Sequence, residues 1–104
     1  MHARLITYQT DDPDGLLLGF QRVAHEMEPV DGFSHGYFLF DREAGKVISI
    51  SIWESREALE ASNPLADRLR ARSTESTGSE TVSIERYEIL HTADSYGVGA
   101  LDSH

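Results

Sequence analysis

Lys46-Val47-Ile48-Ser49-Ile50-Ser51-Ile52-Trp53-Glu54 is the stretch that decides the fold. Its side chains alternate with a period of two, which is the repeat of a β-strand and not of a helix. Ile48, Ile50 and Ile52 fall on one face, and Val47, Ser49, Ser51 and Trp53 on the other. The first face is apolar throughout. The second is apolar at its ends, with small polar residues between. A strand with apolar groups on both faces expects cover on both.

Working outward, residues 41–45 (DREAG) form a turn, in which Gly45 is free to take a positive φ. The turn joins this strand to another at 33–40 (FSHGYFLF), and so short a connection predicts an antiparallel hairpin. Regular alternation there sets Phe33, Tyr37 and Leu39 against Phe38 and Phe40. On the other side, Ser55 is placed to cap a helix, with Glu57 near its positive end. Ala58, Leu59, Leu65, Ala66 and Leu69 supply its buried side. Asn63-Pro64 interrupts that run and predicts a kink or restart, with Asn63 as the new cap and Pro64 in the new first turn. Gly78 ends the helical region, and residues 81–90 (TVSIERYEIL) read as the last strand.

The N-terminal part supplies the missing pair. Residues 3–10 (ARLITYQT) are rich in β-formers. Asp11 or Asp12 caps a helix that Pro13 opens, and Leu16, Leu17, Phe20, Val23, Ala24 and Met27 make its apolar stripe to about residue 28. The order is strand, helix, strand, strand, helix, strand. It predicts an α+β domain of the ferredoxin-like βαββαβ kind, with one antiparallel four-stranded sheet and two helices on one face. The domain is expected over residues 1–91, with a flexible tail at 92–104 that contains Gly97 and Gly99. The sheet face without helices needs cover, and a second copy of the chain is the simplest source.

The chain has 9 basic and 18 acidic residues, a formal charge of −9. A field of that sign repels nucleic acid phosphates and anionic membranes, so neither is an expected partner. There is no cysteine, which removes disulfides and thiolate metal ligands and fits a reducing cytoplasm. No secretory leader and no apolar run of the ~20 residues that span a bilayer are visible, so a cytoplasmic location is expected. No two histidines have the spacing of a metal pair, and no metal is predicted. Asp12-Pro13-Asp14-Gly15 opens like a calcium loop but lacks the later ligands, and capping explains it better. Dinucleotide, P-loop and nucleophile-elbow motifs are absent. Arg68 and Arg72 share a helix face. They read as a solvated, acid-paired surface, or else as a clamp for a carboxylate or phenolate.

The order of elements, Gly32-Phe33-Ser34-His35-Gly36-Tyr37, and above all Val47–Ser55 followed by Glu57-Ala58-Leu59 resemble the antibiotic biosynthesis monooxygenase (ABM) domain of the dimeric α/β-barrel superfamily. The resemblance spans about residues 3–90. It implies a homodimer whose sheets face each other inside a barrel, and a cavity in each subunit between helices and sheet. The family includes cofactor-independent oxygenases of aromatic polyketides, haem-degrading enzymes and domains of no known activity. The haem-degrading members share an asparagine on the first strand, a second tryptophan in the second helical region and a histidine near its end. Here the first strand has no asparagine, Trp53 is the only tryptophan, and residues 56–77 hold no histidine. Haem degradation of that kind is therefore not expected.

The resemblance implies a monooxygenase-like oxidoreductase that needs no cofactor and acts on a small hydrophobic or aromatic substrate. His35 is then the proton acceptor and Tyr37 the orienting donor, two residues apart on one strand face. Trp53 is the flat wall of the pocket, next to the polar strip of Ser49 and Ser51. Each also has a plainer reading: Trp53 as a core aromatic with a partnered indole N–H, and His35 with Tyr37 as half-buried strand residues. The alternative function is a non-catalytic dimer that binds a small ligand.

Overall fold

The computed structural model describes residues 1–93. Its elements are β1 (His2–Gln9), α1 (Pro13–Met27), β2 (Phe33–Asp41), β3 (Lys46–Trp53), α2 (Arg56–Ala61), α3 (Asn63–Thr77) and β4 (Glu80–Glu88). Most of the tail expected at 92–104 lies outside the described residues. The strands form one sheet in the order β2-β3-β1-β4, and every neighbouring pair is antiparallel. With the helices against one side, this is the ferredoxin-like α+β architecture. No helix among the described residues is long and apolar enough to cross a membrane.

Local chemistry sets the helix bounds. Asp12 Oδ1 accepts from the Gly15 N–H at 3.0 Å and Pro13 fills the first turn of α1. Ser55 Oγ accepts from the Ala58 N–H at 3.0 Å to start α2. The second helical region does restart at Asn63-Pro64, but Asn63 is not the cap. Ser62 takes that position and makes no side-chain capping bond, because its hydroxyl donates to the Leu59 carbonyl at 2.6 Å. The Asn63 side chain is engaged elsewhere, as an acceptor for Arg4.

Strand register divides the side chains between two faces. Ile6 pairs with Ser49, Tyr8 with Val47 and Arg4 with Ser51, and these point toward the helices. Ala3, Leu5 and Thr7 pair with Ile52, Ile50 and Ile48 and form the opposite face. Tyr37 and Leu39 join that second face. Phe33 does not. The β2–β3 register shifts between Phe33 and His35, so the strand bulges at Ser34 and Phe33 turns toward the helices. There it lies edge-on to Trp53, with ring centroids 5.3 Å apart.

The face away from the helices is uncovered by any other element among the described residues. Tyr37, Leu39 and Tyr87 stand 51%, 47% and 50% exposed on it, and the isoleucine row is only half-buried.

Gly32 joins the end of the α1 connection to β2 at φ +82°, and its carbonyl accepts from the Glu54 N–H at 2.8 Å. A Cβ there would collide with Ala58 Cβ as well as forcing a left-handed backbone. Gly32→Ala is therefore expected to lower stability by roughly 1–3 kcal/mol, read as a lower urea midpoint by circular dichroism. An unchanged midpoint would contradict this account of the β2 entry.

Candidate functional site

The helix-facing row of β3 runs large, small, small, large: Val47, Ser49, Ser51, Trp53. Gly36 of β2 lies opposite Ser51 and adds no side chain. Helices resting on the tall ends of this row cannot fill its middle. The core accordingly splits into two clusters. One gathers Ile6, Tyr8, Leu16, Phe20 and Val47, and the other Met27, Trp53, Leu59, Ala66 and Leu69. Between them lies a cavity of about 360 Å³, in the range of small-molecule sites. Its apolar wall includes Phe20, Val23 and Met27 of α1 and Phe38 of β2, and its mouth is bordered by Glu28, Ser34 and His35.

The polar groups on the wall come from the sheet floor and from α3: Arg4, Tyr8, Ser49, Ser51, Arg70 and Ser73. Arg4 is 3% exposed. Its Nη2 donates to the Leu59 carbonyl at 3.0 Å, to Ser62 Oγ at 2.9 Å and to Asn63 Oδ1 at 2.5 Å. The guanidinium also sits over the Trp53 ring, 5.8 Å from its centroid. Burial, helped by the positive charges of Arg86 and Arg70 and opposed by Asp67, pushes its pKa down to about 10. It remains a cation at neutral pH. Burial likewise pushes the Tyr8 phenol up to about 12, with the Ser49 hydroxyl pulling weakly the other way. Arg70 donates to Asp67 Oδ1 at 2.9 Å, with 22% of its side chain exposed.

The site residues expected from the sequence are divided by the sheet. Ser49 and Ser51 line the cavity. Trp53 is fully buried in the cluster beside it, and its indole N–H donates to Ser51 Oγ at 3.0 Å. Trp53 thus fixes a floor residue and does not itself wall the cavity. His35 borders the mouth, but its ring stacks edge-on against Tyr37 on the helix-free face, at 5.4 Å between centroids. Its Nδ1 is 2.8 Å from Ser34 Oγ. Tyr37 lies away from the cavity.

Sequence reasoning passed over Arg4, Tyr8 and Ser73. The signal for Arg4 was a charged residue in the same strand register as Ile6 and Tyr8. Among the α3 arginines it weighed Arg68 and Arg72, whereas the inward one is Arg70. Arg72 is at the surface, 3.8 Å from Glu26. No group of three or more His, Cys, Asp or Glu that could hold a metal gathers among the described residues.

No family model matches the chain, and no curated protein does. Solved structures do. SnoaB, a cofactor-independent oxygenase from Streptomyces nogalater, superimposes with a TM-score of 0.72 at 16% identity, over 88% of this chain and 94% of its own. A haem-degrader from Mycobacterium tuberculosis, with two haems bound in its active site, gives 0.72 at 18% identity over 90% and 100%. A dimeric ferredoxin-like protein from an uncultured marine organism gives 0.63 at 8% identity over 89% and 97%. Other matches bear the antibiotic biosynthesis monooxygenase name provisionally. The chain has the ABM-like fold, and at these identities the likeness is one of fold.

A haem does not suit this cavity. Among the described residues His35 is the one histidine that borders it, and that ring faces the other side of the sheet. The interior donors are two guanidinium groups, three serines and a phenol held protonated by burial.

The raised Tyr8 pKa sets a pH signature. Below pH 10 the phenol is protonated both folded and unfolded. Between its ordinary value of 10.0 and about 12 only the unfolded chain ionises, so stability falls as pH rises. Over that interval the wild type should lose on the order of 2 kcal/mol relative to Tyr8→Phe, measured by urea titration at each pH. Parallel declines in the two proteins would show that Tyr8 is not shielded from water.

Proposed function

We propose that the cavity takes up a small hydrophobic, aromatic molecule and that the chain oxygenates it without a cofactor. The observation that carries the reading is the cleft between helices and sheet, with apolar walls and a Ser49–Ser51 floor. The likeness in fold to a cofactor-independent oxygenase supports it. In such chemistry the substrate supplies all the electrons. An activated ring CH2, as in a hydroxylated anthrone, loses a proton, and its carbanion reduces O2. One oxygen atom ends in the new carbonyl and the other leaves as water, so the four-electron balance closes without an external reductant. The protein's part is a water-poor pocket, a proton acceptor and oriented polar groups. His35 at the mouth is the acceptor in this reading, which requires its ring to leave Tyr37 and turn into the cavity.

A second reading is a ligand-binding domain without turnover. It is favoured by one observation, the turning of the His35 and Tyr37 rings to the helix-free face. Oxygen uptake with hydroxylated anthrones and naphthols separates the two. Wild-type uptake well above a heat-killed control, reduced at least tenfold in His35→Ala with ligand binding retained, is the result expected of the enzyme. Tight binding with no uptake across the panel would leave only the binder.

We also propose that the chain works as a homodimer joined through the helix-free face. Leu5, Ile48, Ile50, Ile52, Tyr37 and Leu39 make a broad apolar surface, and large exposed patches are uncommon on monomers. Leaving such side chains in water forgoes roughly 1.5–3 kcal/mol apiece. A two-fold contact covers the patch with itself. Sedimentation at micromolar concentration should give a dimer, and Ile50→Asp should shift it toward monomer. A folded wild-type monomer under those conditions would remove the interface from the account.

A further inference from the structure

We infer that the ligand of the helix–sheet cavity is a flat hydrophobic anion, a carboxylate or a phenolate, whose charged group docks on Arg4 and Arg70. The inference deepens the ligand-site reading above and rests on it. Arg4 is a buried cation with no carboxylate at ion-pair distance among the described residues. Its three hydrogen bonds all leave from Nη2, and all go to neutral acceptors. Nε and Nη1 donate to nothing among the described residues. Neither is sealed from solvent, since the only unpartnered side-chain polar atom that is fully buried among the described residues is His2 Nδ1. Arg4 is also one of the residues that line the cavity.

A role in tying β1 to the α2–α3 junction explains the Nη2 bonds and no more. A neutral amide could make them without the cost of burying a charge. A buried cation without a counter-charge lowers stability until one arrives. Local charge points the same way. Arg86 and Arg70 both act on Arg4, and the one acid that acts on it, Asp67, is already bonded to Arg70. This leaves an excess of positive charge inside a chain whose formal charge is −9. Glu28 at the mouth does not offset it, being exposed and turned toward His25 at 3.9 Å. The planar guanidinium fork matches a carboxylate or phenolate oxygen, and the Phe20, Val23 and Met27 wall accepts a flat ring. Such a site favours the ionised form of a phenol, so the first proton can depart without a strong base inside the pocket.

The test compares naphthoate with naphthalenemethanol, which has the same ring system and no charge. Binding is followed by the fluorescence of Trp53, the only tryptophan, 5.8 Å from the Arg4 guanidinium carbon. Naphthoate should bind at least tenfold more tightly. In Arg70→Gln, whose side chain is partly at the surface, and in Arg4→Gln, that preference should fall toward one while the alcohol's affinity stays. Para-nitrophenol titrated near its own pKa should gain anion absorbance on binding the wild type and not Arg70→Gln. Should Arg4→Gln fail to fold, Arg70→Gln and the nitrophenol spectrum carry the test alone. Equal affinity for naphthoate and the alcohol in the wild type would overturn the anion inference and keep the cavity as a ligand site. An undiminished preference in Arg70→Gln would overturn the arginine assignment. Failure of both compounds to bind would sink the cavity reading itself.

Discussion

The uneven height of the β3 row beneath the helices governs the rest of the structure. Val47 and Trp53 prop the helices at two points, and Ser49 and Ser51 leave a gap between them. Interiors normally close such gaps, because a void forfeits dispersion contacts on its lining. Here the neighbouring strand offers Gly36 at the same level. The helices cannot sink into the gap. α1 and α3 already meet closely where Gly19 faces Ser73, so near that a Cβ on Gly19 would lie 2.8 Å from Ser73 Oγ. The sheet fixes the floor and the Gly19–Ser73 approach fixes the roof, so the space between them belongs to the fold and not to loose packing.

Arg4 ties this geometry to the chain break at residues 62–63. At the end of α2 the Ser62 N–H is shared among the last carbonyls, Ala58 and Leu59 included, and α3 begins without a side-chain cap. The Leu59 carbonyl, the Ser62 hydroxyl and the Asn63 amide oxygen converge on Arg4 Nη2. One guanidinium nitrogen thus satisfies a helix end and a helix start while anchoring both to the central strand. Arg4 also lines the cavity. Structure and site share a residue, and substitution of Arg4 acts on both, which is why Arg70 separates them better.

Much of the fold was legible because strand and helix periods differ and each connection carries its own turn chemistry. The β3 alternation, the Asp41–Gly45 turn, the Asp12 and Ser55 caps and the break at Asn63-Pro64 are local features. The large-small-small-large row that makes the cavity was also visible as sequence, though its consequence needed the helices above it. What escaped was non-local. The Asn63 side chain serves a residue 59 positions away, so a local capping rule assigned it wrongly. The bulge at Ser34 is set by pairing with β3, and it moved Phe33 to the helix side against simple alternation. The inward turn of Arg70 depends on where α3 meets the sheet, and i,i+4 spacing on the helix alone pointed to Arg68 and Arg72.

β3 also couples the two faces of the sheet. Its odd positions, 47–53, build the cavity, and its even ones, 48–52, build the apolar face opposite. A slip of one residue would carry the isoleucine row into the cavity and the serines to the other side. Register is therefore under constraint from both faces at once, and the hairpin end holds it. Gly45 sits at φ +65° and its carbonyl accepts from the Thr10 N–H at 2.8 Å, while Gln9 Nε2 donates to the Ala44 carbonyl at 2.8 Å. Asp41 Oδ1 accepts from the Ala44 N–H at 3.2 Å and closes the turn from within. The end of β1 is thus bonded to the turn that starts β3. Because β1 is central, the same bonds fix where Arg4 stands relative to Ser51. The position of the buried cation over the cavity floor follows from a turn at the far end of the sheet.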